Sequence, residues 1–263
     1  MKISVVMQSY LHDYPDSRTR PKEKFVRAVN SFLGQTHLDK ELIIVADGCD
    51  ITQRMYESIY ADNELIKFAY ITKPKTTKRM YESEVNQETL VTHYRGMPRR
   101  IGCSMAQGDL ITYFDTDDIM LPNRLADIAK SWATKDGSTQ WSSNPLRLVH
   151  SSAVVFSSDP AERAKQEASA VDLRAYGIAD KFYHNSAVKD GMICGASYSL
   201  VHRRDVAAQW ADSVIVRDKS GKIISGTNED AQLLDDLMKV PKSGFVQKSA
   251  TIAICHYRGK WDV

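Results

Sequence analysis

Residues 98–122, PRRIGCSMAQGDLITYFDTDDIMLP, contain the signals of a short helix, a buried strand and a cluster of carboxylates, in that order. Pro98 favours the first turn of a helix, and Gly108 is typical of the position at which a helix ends. The apolar run at 110–114 indicates a strand that is buried on both faces. Three acidic residues follow this strand: Asp115, Asp117 and Asp118.

The upstream sequence repeats this alternation of strands and helices. Three further apolar runs predict buried strands, at residues 3–9, 41–46 and 65–71. Pro21 and Gly34 bracket a helix between the first two strands, and Thr52 is the expected N-cap of the next helix. Residues 1–118 are therefore predicted to form an α/β, Rossmann-like fold with a mostly parallel, doubly wound sheet.

The pattern becomes mixed after residue 118. Pro122 precedes a helix, and the later predicted elements are a helix at 160–170, a strand at 192–201, a helix at 229–239 capped by Asn228, and a long strand at 245–257. We interpret residues 119–263 as the acceptor-side half of the same single domain.

Composition is that of a soluble globular protein. The 263 residues are 43% hydrophobic and 26% charged, with a net charge of +2. The four cysteines lie far apart without a C-x-x-C pair, which argues against a disulfide framework. No apolar run has the length of a membrane span or a signal sequence. We therefore expect a cytoplasmic protein without a transmembrane anchor.

A long segment separates the third predicted strand from the helix at Pro98. Residues 72–97 exceed a usual connection, which predicts either a functional insertion or a missed element such as a helix over 85–94. Residues 67–100 carry eight Lys and Arg against three Glu, a net charge of +5. A solvated loop and a phosphate-binding surface are both consistent with this charge.

Polar residues stand at the carboxyl ends of three predicted strands. They are Tyr10, Asp47 and the cluster that begins at Asp115. Ligands of doubly wound sheets bind outside these strand ends. Asp115 and Asp117 are alternate carboxylates that repel each other unless a cation joins them, and Mn²⁺ or Mg²⁺ on a diphosphate suits such ligands. Asp118 also suits a helix N-cap.

Four segments resemble the motifs of the family 2 glycosyltransferases of the GT-A fold. They are ISVVMQSY at 3–10, NSFLGQTHLDKELIIVADGCDIT at 30–52, the stretch at 98–122 and GTNEDAQLLDDL at 226–237. Their order and spacing agree with the family over most of the chain. The resemblance implies a nucleoside-diphosphate sugar donor, expected to be a UDP-sugar, and an inverting transfer to an acceptor hydroxyl.

The resemblance also implies roles on the donor side. Tyr10 resembles the position that stacks on the base, and Asp47 resembles the carboxylate that reads it. The basic residue expected near the nucleotide is Arg99 or Arg100. Because the insertion precedes them, both remain candidates for this position. Asp115 is expected to touch the ribose.

Further implied roles concern the metal and the leaving group. Asp117, with Asp115 and His256, is a candidate ligand of Mn²⁺ or Mg²⁺. Arg258 and Lys260 are expected to neutralise the leaving diphosphate.

The pair Glu229 and Asp230 resembles the late acidic motif of the family. Asp230 is implied to be the general base that deprotonates the acceptor hydroxyl, in the first turn of a helix whose dipole favours its charged form. A non-catalytic nucleotide-sugar-binding protein is the alternative, and it is expected to lack the carboxylate at Asp230 or Asp117.

The acceptor is expected to be a glycan or similar hydroxyl compound. The alternative is a hydroxymethylated base in DNA, gripped by the basic residues of the insertion. The residues concerned are Lys73, Lys75, Lys78 and Arg79. A sugar nucleotidyltransferase and a dinucleotide-dependent dehydrogenase are weaker alternatives, because the first strand is not followed by the glycine-rich loop that each of them needs.

Overall fold

The structure is a computed structural model that describes residues 1–12, 20–72, 77–82, 87–93, 96–116, 119–120, 122–133, 140–142, 170–172, 181–183, 200–205, 210, 213–217, 223–227, 244–246 and 252–253. Its helices are α1 (Pro21–Leu33), α2 (Asp50–Ile59), α3 (Gly96–Met105) and α4 (Arg124–Ala133). Of these helices, none combines the length and the apolar character needed to cross a bilayer.

The strands of the described residues are short and numerous. In chain order they are β1 (Ile3–Ser9), β2 (Lys40–Asp47), β3 (Ile66–Ile71), β4 (Thr77–Glu82), β5 (Gln87–His93), β6 (Leu110–Tyr113), β7 (Ile119–Met120), β8 (Gln140–Ser142), β9 (Ala170–Asp172), β10 (Lys181–Tyr183), β11 (Leu200–Arg203), β12 (Ser213–Arg217), β13 (Ile223–Thr227), β14 (Gly244–Val246) and β15 (Ile252–Ala253).

Seven strands form one sheet in the order β14-β8-β11-β6-β1-β2-β3. The strands β6, β1, β2 and β3 are parallel, whereas β11 runs antiparallel to both β6 and β8. This arrangement confirms the predicted fold class, a mostly parallel sheet with a mixed C-terminal part. The sheet also joins strands from residues 1–118 to strands from residues 119–263.

Helices cover both faces of this sheet. Met7 of β1 belongs to a buried cluster with Phe25 of α1 and Leu125 of α4. Val6 points to the opposite face, because successive residues of a strand alternate, and packs against α3. At Gly102 of α3, a Cβ atom would collide with the Val6 side chain, so this helix lies directly on the sheet.

The local signals near the N-terminus predict the observed elements well. β1 has the predicted bounds, and α1 runs from Pro21 to the residue before Gly34. The predicted N-cap role of Thr52 is wrong, because α2 begins at Asp50. Thr52 is instead buried in the first turn, and its hydroxyl lies 2.8 Å from the hydroxyl of Ser9.

The segment after β3 contains a β-hairpin. β4 pairs antiparallel with β5, β5 with β12, and β12 with β13, so these strands form a four-stranded sheet. The predicted alternative of a helix over 85–94 is wrong, because residues 87–93 form a strand with partners on both sides. The partner β12 has the sequence SVIVR, which is rich in strand-favouring β-branched residues. The insertion is thus joined to the C-terminal half.

The late elements are described only in part. Of the long strand predicted over 245–257, residues 245 and 246 belong to β14, which joins the seven-stranded sheet beside β8, and residues 252 and 253 form β15, which pairs with β7 in another sheet. Its other residues lie outside the described part of the chain. Of the strand predicted at 192–201, residues 200 and 201 belong to β11 (Leu200–Arg203), and residues 192–199 lie outside the described residues. The helix predicted at 229–239 and residues 160–169 of the helix predicted at 160–170 also lie outside them.

A buried carboxylate joins the elements at the amino end of the parallel strands. Glu41 of β2 accepts hydrogen bonds from the Ser4 hydroxyl and the Gln107 backbone N–H, both at 2.6 Å. The ammonium groups of Lys2 and Lys67 lie 3.0 and 2.8 Å from its second oxygen. Burial raises the pKa of Glu41, but these hydrogen bonds outweigh burial and lower it to about 2.

Candidate active site

The three predicted donor-side residues lie along one edge of the sheet. β1 has β2 on one side and β6 on the other, and all three strands run parallel. Tyr10 follows the end of β1, Asp47 ends β2, and Asp115 lies two residues beyond β6. Because neighbouring strands lie about 4.8 Å apart, the three side chains border one small region. This is the edge at which ligands of doubly wound sheets bind.

Tyr10 presents an exposed ring on an anchored loop. The ring side chain is 43% exposed, although the residues on both sides of it are held. The backbone N–H of Leu11 donates to the Cys49 sulfur at 3.2 Å. His12 Nε2 lies 2.6 Å from the carboxylate of Asp50. An exposed aromatic ring between residues that are held by such contacts is suited to stacking on a planar ligand.

Asp47 is a buried carboxylate at the end of β2. Its side chain is 4% exposed, and its Oδ2 atom accepts a 3.4 Å hydrogen bond from the side-chain amide of Gln8. The chain turns immediately after it, since Gly48 has a φ of 65° and its N–H donates to the Ile71 carbonyl. A glycine accommodates this left-handed conformation without strain. The turn leaves Asp47 as the last residue of the strand.

The helix α3 runs antiparallel to the central strands. The N–H of Gly108, just beyond its end, donates to the hydroxyl of Ser4 near the start of β1, whereas Gly102 packs on Val6 in the middle. The first turn of α3, from Gly96, therefore lies towards the edge that carries Tyr10 and Asp47. Arg99 ends this turn and Arg100 begins the next one, so both are placed on the donor side of the sheet.

Both arginines also contact Trp210. The Arg99 guanidinium lies over the Trp210 ring, 4.5 Å from its centre, and Arg100 donates to the Trp210 backbone carbonyl. Arg99 is buried and Arg100 is half-buried. These contacts connect α3 to the segment that leads into β12. Arg99 and Arg100 therefore both remain candidates for the contact with a nucleotide.

A buried hydrogen-bonded chain supports β6 before Asp115. The His202 Nδ1 donates to the Arg203 carbonyl at 2.8 Å, so its Nε2 accepts from the Tyr113 hydroxyl at 2.7 Å. Tyr113 in turn accepts from the Cys103 thiol at 3.2 Å. Burial lowers the pKa of His202 to about 4 and raises the pKa of Cys103 to about 11. His202 is thus neutral and holds β11 to β6.

The positive charge of residues 67–100 is distributed over several parts of the fold. Lys67 pairs with Glu41 at the opposite edge of the sheet, and Arg99 and Arg100 contact Trp210. In β4, Lys78 and Arg79 occupy adjacent positions, and the strands β4 and β5 also contain Glu82 and Glu88. Three of the eight positive side chains of this segment, those of Lys67, Arg99 and Arg100, therefore take part in contacts away from the β4–β5 hairpin.

Several predicted site residues fall outside the described part of the chain. They are Lys73, Lys75, Asp117, Asp118, Glu229, Asp230, His256, Arg258 and Lys260. The strand β13 ends at Thr227, two residues before Glu229. Within the residues that the structure describes, no group of three His, Cys, Asp or Glu side chains is arranged to hold a metal ion.

Three residues of this region were not singled out from the sequence. Gln8 contacts Asp47, His12 pairs with Asp50, and Trp210 stacks under Arg99. Gln8 carries the only local signal, since it is a polar residue within the apolar run of β1, two residues before Tyr10. The other two depend on contacts between segments far apart in the chain.

Comparisons with known proteins agree with this architecture. No protein-family profile matches the chain. An uncharacterized glycosyltransferase of Nostoc sp. is 27% identical over 136 residues, which are 52% of this chain and 34% of the relative. The chain thus spans well under two thirds of the curated relative that it matches.

Crystal structures of TarS from S. aureus are similar in fold. The 1–349 fragment has a TM-score of 0.54 at 13% identity, over 98% of this chain and 60% of that chain. Its complex with UDP has a TM-score of 0.56 at 14% identity, over 98% of this chain and 60% of that chain. Its complex with UDP-GlcNAc has a TM-score of 0.55 at 14% identity, over 100% of this chain and 60% of that chain. The chain therefore has the α/β fold, with its mostly parallel central sheet, that the GT-A glycosyltransferase motifs of its sequence predict.

Proposed function

We propose that this protein is a glycosyltransferase that takes a sugar from a nucleoside-diphosphate donor, a UDP-sugar. The observation that carries this proposal is the common sheet edge of Tyr10, Asp47 and Asp115, which offers a stacking ring, a buried carboxylate and a strand-end carboxylate. The curated relative named as a glycosyltransferase supports the class of reaction. The similar structures that hold UDP and UDP-GlcNAc support the donor.

The transfer proceeds with inversion in this proposal. Asp230 takes the proton of the acceptor hydroxyl while the hydroxyl oxygen bonds to the anomeric carbon of the sugar. The bond from that carbon to the diphosphate oxygen breaks, and the nucleoside diphosphate leaves with the electron pair. Asp230 lies three residues after β13 in the sequence, and Glu229 is the second candidate base.

A divalent cation fits the carboxylate chemistry of this edge. Asp115 lies beyond the end of β6, and Asp117 follows it in the sequence. Carboxylate oxygens are the ligands that Mn²⁺ and Mg²⁺ take, with His256 as a further candidate for Mn²⁺. A bound cation would offset the charge of the leaving diphosphate, together with Arg258 and Lys260.

The proposed acceptor is the hydroxyl of a glycan or of a similar soluble compound. The four-stranded sheet supports an acceptor side, because β13 leads directly to the proposed base and the inserted hairpin belongs to the same sheet. Hydroxymethylated DNA is the second candidate. The net charge of +5 in residues 67–100 favours this candidate. However, Lys67 pairs with Glu41, and Arg99 and Arg100 contact Trp210, so less positive charge remains to bind DNA phosphates.

A donor-hydrolysis screen tests the proposal without a known acceptor. The purified protein is incubated with UDP-, GDP-, CDP- and dTDP-sugars in Mn²⁺, and the released nucleoside diphosphate is measured. We expect the native protein to release UDP slowly from a UDP-sugar. If the same base activates water, the Asp230→Asn variant should release no UDP. Absence of both binding and hydrolysis with every donor would reject the glycosyltransferase proposal.

A further inference from the structure

Trp210 contacts both of the arginines that are candidates for the donor site. Its ring lies under the Arg99 guanidinium, at 4.5 Å from the ring centre, and its backbone carbonyl accepts a hydrogen bond from Arg100. Adjacent residues of a helix point about 100° apart around its axis, so these two side chains leave α3 in different directions and meet the same residue. One residue outside α3 therefore restrains both side chains.

The Trp210 ring is itself held in place. It is almost fully buried, and Tyr113 packs against it edge-on, with ring centroids 4.8 Å apart. The Tyr113 hydroxyl belongs to the buried hydrogen-bonded chain with Cys103 and His202. Because these neighbours are buried and hydrogen-bonded, the ring offers Arg99 a fixed surface. Support of this kind keeps a binding side chain in one geometry before its ligand arrives.

The position of Arg99 on α3 places it towards the donor edge. Gly102, three residues later, packs against Val6 and Val45 in the middle of the sheet. Because α3 runs antiparallel to these strands, the Arg99 backbone lies about 4.5 Å further towards their carboxyl ends. Asp47 follows Val45 by two residues in the same direction and ends β2. Arg99 and the donor edge therefore belong to the same end of the sheet.

A guanidinium that is stacked on a ring suits an anionic ligand. An aromatic ring attracts the flat face of the guanidinium, whereas the N–H groups that bind oxygen atoms lie in its plane. A carboxylate partner would instead neutralise the positive charge and use these N–H groups. The contact with Trp210 therefore orients Arg99 without cancelling its charge, which is what the diphosphate of a donor requires.

We propose that Trp210 is a positioning residue that holds Arg99 and Arg100 for the diphosphate of the donor. This inference rests on the proposed function, because it concerns the same donor site. Trp210 acts through the arginines in this assignment and does not itself touch the nucleotide. Loss of its ring should therefore weaken the binding of a nucleoside diphosphate and spare a nucleoside that has no phosphate.

The test compares the binding of UDP with that of uridine, which lacks the diphosphate. In the presence of Mg²⁺, calorimetry measures the affinity for UDP and an NMR titration measures the weaker affinity for uridine. We expect Trp210→Leu to lower the affinity for UDP by about tenfold and to leave the affinity for uridine unchanged. Trp210→Phe keeps an aromatic face and should lower the affinity for UDP by no more than about threefold.

A double-mutant cycle tests whether Trp210 acts through the arginines. In a protein that carries Arg99→Met and Arg100→Met, Trp210→Leu should not lower the affinity for UDP any further, because the side chains that it positions are gone. Each arginine variant keeps Trp210 in place, so the cycle also reports whether the arginines bind the diphosphate at all.

The matched control is Trp132→Leu. Trp132 is a buried tryptophan of α4, which covers the opposite face of the sheet, and its replacement should leave both affinities at their native values. Melting temperatures confirm that each variant is folded. Trp210→Met, with a flexible side chain that fills irregular space, takes the place of Trp210→Leu if that variant does not fold.

The outcomes separate this inference from the proposal on which it rests. The positioning role is overturned, and the donor proposal stays intact, if folded Trp210→Leu binds UDP with native affinity or loses UDP and uridine equally. An equally strong effect of Trp210→Leu without the two arginines also overturns it. Failure of the folded native protein to bind any nucleotide overturns the donor proposal and this inference with it. A loss that is confined to UDP and disappears without the arginines supports the inference.

Discussion

The guanidinium of Arg99 lies 4.5 Å from the centre of the Trp210 ring, and this contact joins the helix α3 to the segment before β12. Trp210 is 1% exposed, and Tyr113 packs against it edge-on with ring centroids 4.8 Å apart. Trp210, which stands three residues before β12 in the sequence, therefore packs against both α3 and the strand β6 of the seven-stranded sheet. Its removal should affect both the stability of the protein and the sheet that leads to the proposed base.

We expect Trp210→Ala to reduce the free energy of unfolding by about 3–5 kcal/mol, because it leaves a large cavity in the core. Trp210→Phe should cost less, since the phenyl ring keeps a surface for Arg99 and Tyr113. Urea titrations followed by circular dichroism measure both values. Equal stability of the native and Trp210→Ala proteins would contradict the structural role of this residue.

Metal dependence is expected because Asp117 is proposed to hold a cation against the diphosphate. Chelation by EDTA should abolish transfer, and Mn²⁺ or Mg²⁺ should restore it. Asp117→Asn should weaken metal-dependent donor binding and activity together. The matched control is Asp118→Asn, which should cost about 1 kcal/mol of stability or less if Asp118 is an N-cap. Full activity in EDTA is the contrary result.

The general base is tested by Asp230→Asn. This change should lower kcat by about a hundredfold or more and leave nucleotide affinity nearly intact, because the base acts on the acceptor and not on the donor. Steady-state kinetics and calorimetry with UDP measure the two effects separately. If the variant stays active, the role moves to Glu229, and Glu229→Gln becomes the decisive variant.

Glu41 should make stability depend on acid pH. Its pKa in the folded protein is about 2, below the ordinary pKa of 4.5 for a glutamate in an unfolded chain, so its contribution to stability is fully present above about pH 4.5. The contribution falls as the pH drops from about 4.5 towards 2, and it amounts to about 3 kcal/mol. Denaturation of the native protein and of Glu41→Gln across this range should give a difference that shrinks with falling pH. A constant difference would argue against the role.

The acceptor is tested through the insertion. We expect no measurable duplex DNA affinity at physiological salt, and no change in transfer when Lys73, Lys75, Lys78 and Arg79 are replaced by Gln. If DNA is the acceptor, the native protein should instead bind duplex with a salt dependence that the four changes reduce by nearly one unit of slope per lost phosphate contact. Fluorescence anisotropy across a salt series distinguishes these results.

The N-terminal half of the fold could be predicted from the sequence because its signals are local. Each signal lies within a few residues of the element that it specifies. Examples are the buried apolar run of β1 and the Pro21 and Gly34 boundaries of α1. A continuous apolar run between turns specifies a doubly buried strand, and such strands pack in parallel beneath helices. Because these strands are parallel, the sequence also predicts that Tyr10, Asp47 and Asp115, which follow or end them, lie at one edge of the sheet.

The tertiary structure decided the elements whose stability comes from distant partners. The charged segments β4 and β5 form strands beside β12, which pairs with β5 from more than a hundred residues later in the chain. The residues of a segment do not indicate a partner that is so distant in the sequence. The stretch at 245–257 contributes to two sheets for the same reason. Sequence periodicity specifies which face of an element is buried, whereas strand pairing and side-chain contacts such as Gln8 with Asp47 depend on which segments the folded chain brings together.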